Sequence, residues 1–119
     1  MSYVDGFVVA VPTGNEEAYR AVAETAARVF VKHGATHVLE AWGDDVPEGK
    51  VTDFRMAVKA EAGESVVFSW ITWPSKEARD RGMQASMEDL KATMSDMPFD
   101  GRRMIFGGFR TIVEAGKAG

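Results

Sequence analysis

A chain of 119 residues, 45% hydrophobic and 27% charged, is sized for one domain that buries its own core, and a single domain over residues 1–119 is expected. It has no cysteine, which removes disulfides, thiolate metal sites and cysteine nucleophiles from any mechanism. A formal net charge of −4, from 14 basic against 18 acidic residues, opposes attraction to polyanions, so nucleic acid is not an expected partner.

The first residues lack the basic start of a secretory signal, and the apolar run at 7–11 falls far short of the ~20 residues a membrane span takes. No membrane is expected, and the reading is cytoplasmic. Residues 3–11 alternate as a strand, with Tyr3, Asp5, Phe7, Val9 and Val11 on one face and Val4, Gly6, Val8 and Ala10 on the other. Pro12-Thr13-Gly14 breaks it. Thr13 followed three residues later by Glu16 has the spacing of a capping box, which predicts a helix whose buried stripe is Tyr19, Val22, Ala26, Val29 and Phe30. Gly34 is the expected left-handed stop. A second strand is predicted over 36–46, placing His37, Leu39 and Ala41 on one face and Val38, Glu40, Trp42 and Asp44 on the other. Residues 51–62 read as a short helix or irregular arm, capped by Thr52 or Asp53.

The stretch 65–74, Ser-Val-Val-Phe-Ser-Trp-Ile-Thr-Trp-Pro, is apolar on both alternating faces: Val66, Phe68 and Trp70 against Val67, Ile71 and Trp73. It is the predicted central strand, with Trp70 in its core. Pro74 ends the pairing, and a second long helix is expected over 75–94 with the stripe Ala78, Met83, Met87, Leu90 and Met94. A last strand is expected over 104–113, interrupted by Gly107-Gly108, where glycines mark a bulge or a close backbone approach.

The order strand–helix–strand–strand–helix–strand is the split βαβ arrangement: an α+β, ferredoxin-like βαββαβ fold with a four-stranded antiparallel sheet and two helices on one face. Apolar residues on the second face require a cover. Leaving them in water forfeits roughly 1.5–3 kcal/mol per large side chain, so a second copy packing sheet to sheet is expected.

Four segments carry a family resemblance: Tyr3-Val4-Asp5-Gly6-Phe7, Glu40-Ala41-Trp42-Gly43-Asp44-Asp45-Val46-Pro47, Val67-Phe68-Ser69-Trp70, and Met97-Pro98-Phe99-Asp100-Gly101-Arg102-Arg103-Met104-Ile105-Phe106-Gly107-Gly108-Phe109. Together they resemble the family called domain of unknown function 1428, in the dimeric α/β-barrel group, over nearly the whole length. The resemblance implies this fold and a homodimer and brings no activity with it. More distant proteins of the same barrel include cofactor-independent monooxygenases and small isomerases or lyases, so an oxygenase-like activity without a cofactor follows by fold analogy alone.

Glu40, Trp42 and Asp44 on one strand face would set two carboxylates around an indole. If that face lines a cavity, Glu40 beside Trp42 is a proton donor or acceptor, while Asp44 stays solvated. The alternative is a strand-end ion pair or dimer contact, for instance with Arg102 or Arg103. His37 opens the strand and is a second candidate base, weighed against an edge role. His33 suits a helix C-terminus. Asp5 in an apolar strand needs a partner or an opening. Trp42, Trp70 and Trp73 are candidates for lining a flat aromatic ligand site, set against a role in the sheet core, and the methionine stripe reads as core filler. Asp44-Asp45 points to opposite faces without a further ligand, so no metal is expected. Two readings remain: a small-molecule pocket between sheet and helices, and a non-catalytic dimeric binding or interaction module.

Overall fold

The computed structural model describes residues 2–92 and 96–116. Four strands, β1 (Tyr3–Pro12), β2 (His37–Trp42), β3 (Glu64–Trp73) and β4 (Ile105–Arg110), form one antiparallel sheet in the order β2-β3-β1-β4. Helices α1 (Glu16–Lys32) and α3 (Lys76–Leu90) make the two crossings, and a one-turn helix α2 (Phe54–Ala57) lies between β2 and β3. This is the ferredoxin-like α+β arrangement. The second long helix expected over 75–94 would reach Met94, which lies outside the described residues.

The β1–β3 register pairs Asp5 with Ile71, Phe7 with Ser69 and Val9 with Val67, so these residues share one face of the sheet. Both long helices pack on that face. Phe30 and Val29 of α1 and Leu90 and Met83 of α3 close over Ile71 and Trp73, and Val9, Val11 and Val67 form an adjoining cluster with Tyr19 and Trp42. The indole expected in the core was Trp70; the buried one is Trp73, at 0% exposure, whereas Trp70 lies on the opposite face and is only half-buried. Both are aromatic residues of one strand, and alternation alone does not say which set the helices cover.

The start of α1 departs from the capping-box expectation. Residues Thr13–Asn15 form a short 3-10 turn, and Thr13 Oγ1 lies 2.8 Å from Ser65 Oγ on β3. Asn15 occupies the cap position without a side-chain capping bond; its amide instead donates to the Pro98 carbonyl at 3.0 Å. At the other end Gly34, at φ +113°, ends the helix as expected. Helix α3 also turns differently. Its buried positions include Gly82, Ser86 and Leu90, while Met87 is 40% exposed, so the methionine stripe is not uniformly core. A Cβ at Gly82 would overlap the Trp73 ring and the His33 carbonyl, which shows how closely α3 approaches the sheet and the end of α1.

The second face carries Val8, Leu39, Phe68, Trp70, Ile105 and Phe109. Residues 51–62 cover one end of it: Val58 is buried against Ala10 and Val66, and the Phe54 ring lies 5.9 Å from that of Phe68. Elsewhere the face stays open, with Phe68, Ile105 and Phe109 at 40%, 45% and 61% exposure. Asp53 caps α2 by accepting from Met56 N at 2.7 Å, and Lys59, at φ +51°, makes the left-handed exit that glycine usually provides.

A polar clasp ties this arm to β3. Arg55 donates to the Glu64 carbonyl at 2.6 Å, and Arg103 makes a two-pronged pair with the Glu64 carboxylate at 2.8 and 2.7 Å while also reaching the Lys59 carbonyl. The Arg103 hydrogen bonds hold the Glu64 carboxyl down to about 2, from an ordinary 4.5. A carboxyl depressed on folding adds stability above its unfolded value, and that stability drains away as pH falls through the folded value. Acid titration of the folded chain should therefore lose this contribution between pH ~4.5 and ~2. Glu64→Gln should flatten the melting-temperature profile in that window; an unchanged acid slope would show that the clasp adds nothing.

Candidate functional site between the first helix and the second strand

β2 is an edge strand, and its helix-facing residues are Val38, Glu40 and Trp42, opposite Ile71, Ser69 and Val67 of β3. Across from them, α1 presents Tyr19, Ala23 and Ala27 at four-residue spacing. The small alanines leave the space in front of the strand unfilled, and a cleft of about 280 Å³ opens there, near the lower end of small-molecule pockets. Tyr19 closes its inner end: its ring meets Trp42 edge-on with centroids 6.2 Å apart and Phe99 at 5.7 Å.

The phenol of Tyr19 donates to Glu40 Oε1 at 2.6 Å. Burial raises the Tyr19 pKa, and the neighbouring Glu40 charge and its hydrogen bond raise it further, so the phenol remains a proton-bearing donor. Desolvation also lifts the Glu40 carboxyl above its ordinary value, against the opposing effect of hydrogen bonds from Tyr19 and Ser69. Glu40 as a residue is exposed, yet its carboxyl group is crowded by those two hydroxyls. The result is a carboxylate held by a fixed donor beside an indole, able to accept a hydrogen bond or a proton from a molecule in the cleft.

The sequence-derived candidates separate. Glu40 and Trp42 share the cleft, but Asp44 does not join them: β2 ends at Trp42, Gly43 N–H bonds the Val66 carbonyl at 2.8 Å, and Asp44 falls in the exposed turn beyond. His37 lies on the opposite face, pairing with Thr72 and stacking obliquely 6.4 Å from Trp70. Neither His37 nor Trp70 can therefore act with Glu40 within one chain. Asp5 is buried beneath α3, where it accepts from Trp73 Nε1 at 2.9 Å and pairs with Arg79 at 2.9 Å. Among the described residues, the alternative of a strand-end ion pair from Glu40 or Asp44 to Arg102 or Arg103 is not seen within the chain; Arg102 pairs with Asp100, and Arg103 with Glu64 and Asp100. His33 stands at the C-terminus of α1 and meets Asp89 of α3 at 2.6 Å. Tyr19 is the member that sequence reasoning placed only in the core stripe. Its signal was the phase it shares with Ala23 and Ala27, a flank of small residues that leaves room beside a large one.

Among the described residues no helix is long and apolar enough to cross a membrane. The family model described as a protein of unknown function (DUF1428) matches residues 2–101. An Escherichia coli K12 protein, described as uncharacterized protein YbaA, is 58% identical over 116 residues, covering 96% of this chain and 99% of that one. Of solved structures, SnoaB, described as a cofactor-independent oxygenase from Streptomyces nogalater, aligns with a TM-score of 0.57 at 11% identity over 98% of each chain. Rv0793 from Mycobacterium tuberculosis aligns at 0.54 and 14% identity, over 98% of this chain and 100% of that one. At such identities the likeness is one of fold.

Proposed function

The chain belongs to the protein family of unknown function DUF1428, and from that premise we propose that it is a homodimeric small-molecule-binding protein whose site is the cleft between α1 and β2. The observation that carries the proposal is the Tyr19–Glu40 hydrogen bond of 2.6 Å set against Trp42 in that cleft. A merely structural carboxylate on an edge strand would reach water freely, whereas this one is partly desolvated and oriented by a fixed donor. A cytoplasmic setting belongs to the same reading. So does turnover without a bound cofactor, to which the fold shared with SnoaB lends analogy only.

Native mass spectrometry of the protein purified from its own host should show a co-purifying small molecule. Glu40→Gln keeps the shape of the side chain and removes its titration, so it should weaken binding of that molecule several-fold and leave the melting temperature nearly unchanged. A lower melting temperature with intact binding would make Glu40 structural and favour the interaction-module reading.

The dimer rests on the open sheet face. Phe68, Ile105 and Phe109 keep 40%, 45% and 61% exposure there beyond what the 51–62 arm covers, and sheet-to-sheet association of two copies buries them on both. Light scattering at micromolar concentration should give twice the 13.0 kDa chain mass. A clean monomer would sink this part of the proposal and leave the cleft untouched.

A further inference from the structure

The charges around the cleft say what kind of molecule it selects. Three carboxylates, Glu16, Glu24 and Glu40, line it against one guanidinium, that of Arg20. Arg20 lies on the helix surface, 3.4 Å from Glu16 and 3.4 Å from Glu17, so its charge is offset by two neighbouring carboxylates. Glu40 is the carboxylate on the strand wall, between Val38 and Trp42, with one oxygen tied to Tyr19. A ligand group approaching it meets an acceptor, and the Tyr19 phenol proton is already committed to the same carboxylate. The remaining walls are apolar or aromatic: Ala23 and Ala27 on the helix, Val38, Trp42 and Val67 on the sheet. An aromatic face next to a carboxylate favours a cation and penalises an anion, which would lose its hydration without gaining a partner.

We propose that the α1–β2 cleft is selective for organic cations: a primary or secondary ammonium on a flat or slender apolar body, its N–H donating to Glu40 and its body lying between the Ala23/Ala27 flank and Trp42. This rests on the cleft reading above and narrows it. It sets the site apart from one for carboxylates or phosphates, which need paired donors where this cleft has acceptors.

The test uses three probes of one shape and different charge: tryptamine, the neutral alcohol tryptophol and the anion indole-3-propionate. Each is titrated at neutral pH into the full-length protein, with amide shifts of residues 19–27 and 38–42 read by NMR. Tryptamine should bind in the cleft about tenfold or more tightly than tryptophol, as a charge-assisted hydrogen bond implies, and the anion should bind weakest. In Glu40→Gln, whose fold is checked by the same spectra, the preference for tryptamine over tryptophol should collapse toward unity while tryptophol binding persists. Equal or tighter binding of the anion in the cleft would overturn the cation assignment and leave the cleft as a ligand site. A tryptamine preference that survives Glu40→Gln would overturn the role given to Glu40. If none of the three moves the cleft residues, the cleft reading itself falls, and the cation assignment with it.

Discussion

Trp73→Ala is expected to destabilise the chain by about 3–5 kcal/mol in denaturant titration, the usual loss for a large aromatic deleted from a packed interior. Trp73 has no exposed surface and stands where three elements converge: β3 carries it, α3 lies against it at Gly82, and Phe30 of α1 packs in the same cluster. Its removal also leaves Asp5 without the indole N–H that it accepts at 2.9 Å. Trp70→Ala, three residues earlier, should cost much less in the separate chain, because that indole is half-buried on the open face against Phe68 and His37. Equal losses at the two positions would mean that the helices do not cover the face assigned to them.

Asp5→Ala should cost about 3 kcal/mol, the lower part of the range for breaking a buried ion pair. Asp5 is 3% exposed on the central strand, and its two oxygens take three hydrogen bonds from Arg79, at 3.1, 3.1 and 2.9 Å, besides that from Trp73. Arg79, less buried and lying 5.2 Å over the Tyr3 ring, recovers some hydration when its partner goes, which keeps the loss from the upper end. The double variant Asp5→Ala/Arg79→Ala should be far less destabilised than the sum of the two single changes, because each removes the same interaction. Additive losses would show that the two side chains do not depend on each other. The effects of Trp73→Ala and Asp5→Ala should likewise fall short of additive, since they share the indole hydrogen bond.

Much of this architecture was legible because strand alternation and helix punctuation are local signals. Ser65 to Trp73 reads as a doubly apolar strand, Gly34 as a helix stop, and Glu40 with Trp42 as neighbours on one face. What was not legible depends on distances between elements. Ser69 makes the helix-covered set of β3 look less apolar than Val66, Phe68 and Trp70, yet a small residue there fits beneath the layer above. The inner side of α3 uses Gly82 and Ser86 because the helix lies so close to Trp73, and hydropathy rewards the methionines instead. Asp44 parted from Glu40 when β2 stopped at Trp42, a boundary set by the contact of Gly43 with Val66 rather than by Asp44 itself. The Tyr19–Glu40 pair joins residues 21 apart on different elements, and only the packing of α1 against an edge strand brings them within 2.6 Å.

The strand order has a consequence for how the chain is made. Each ladder of the sheet, β1 with β3, β1 with β4 and β2 with β3, needs a strand from the second half of the sequence. During synthesis, β1 and β2 therefore leave the ribosome with no partner to receive them. At ~5–20 residues per second, the interval before β3 follows β1 lasts on the order of several seconds. Over that time the apolar run of β1 can be sheltered only by α1 or by a chaperone, because long-range pairing must wait for the chain that makes it. Sheet assembly starts at β3, and the first strand made is among the last to be flanked on both sides, its second edge closing only when β4 arrives.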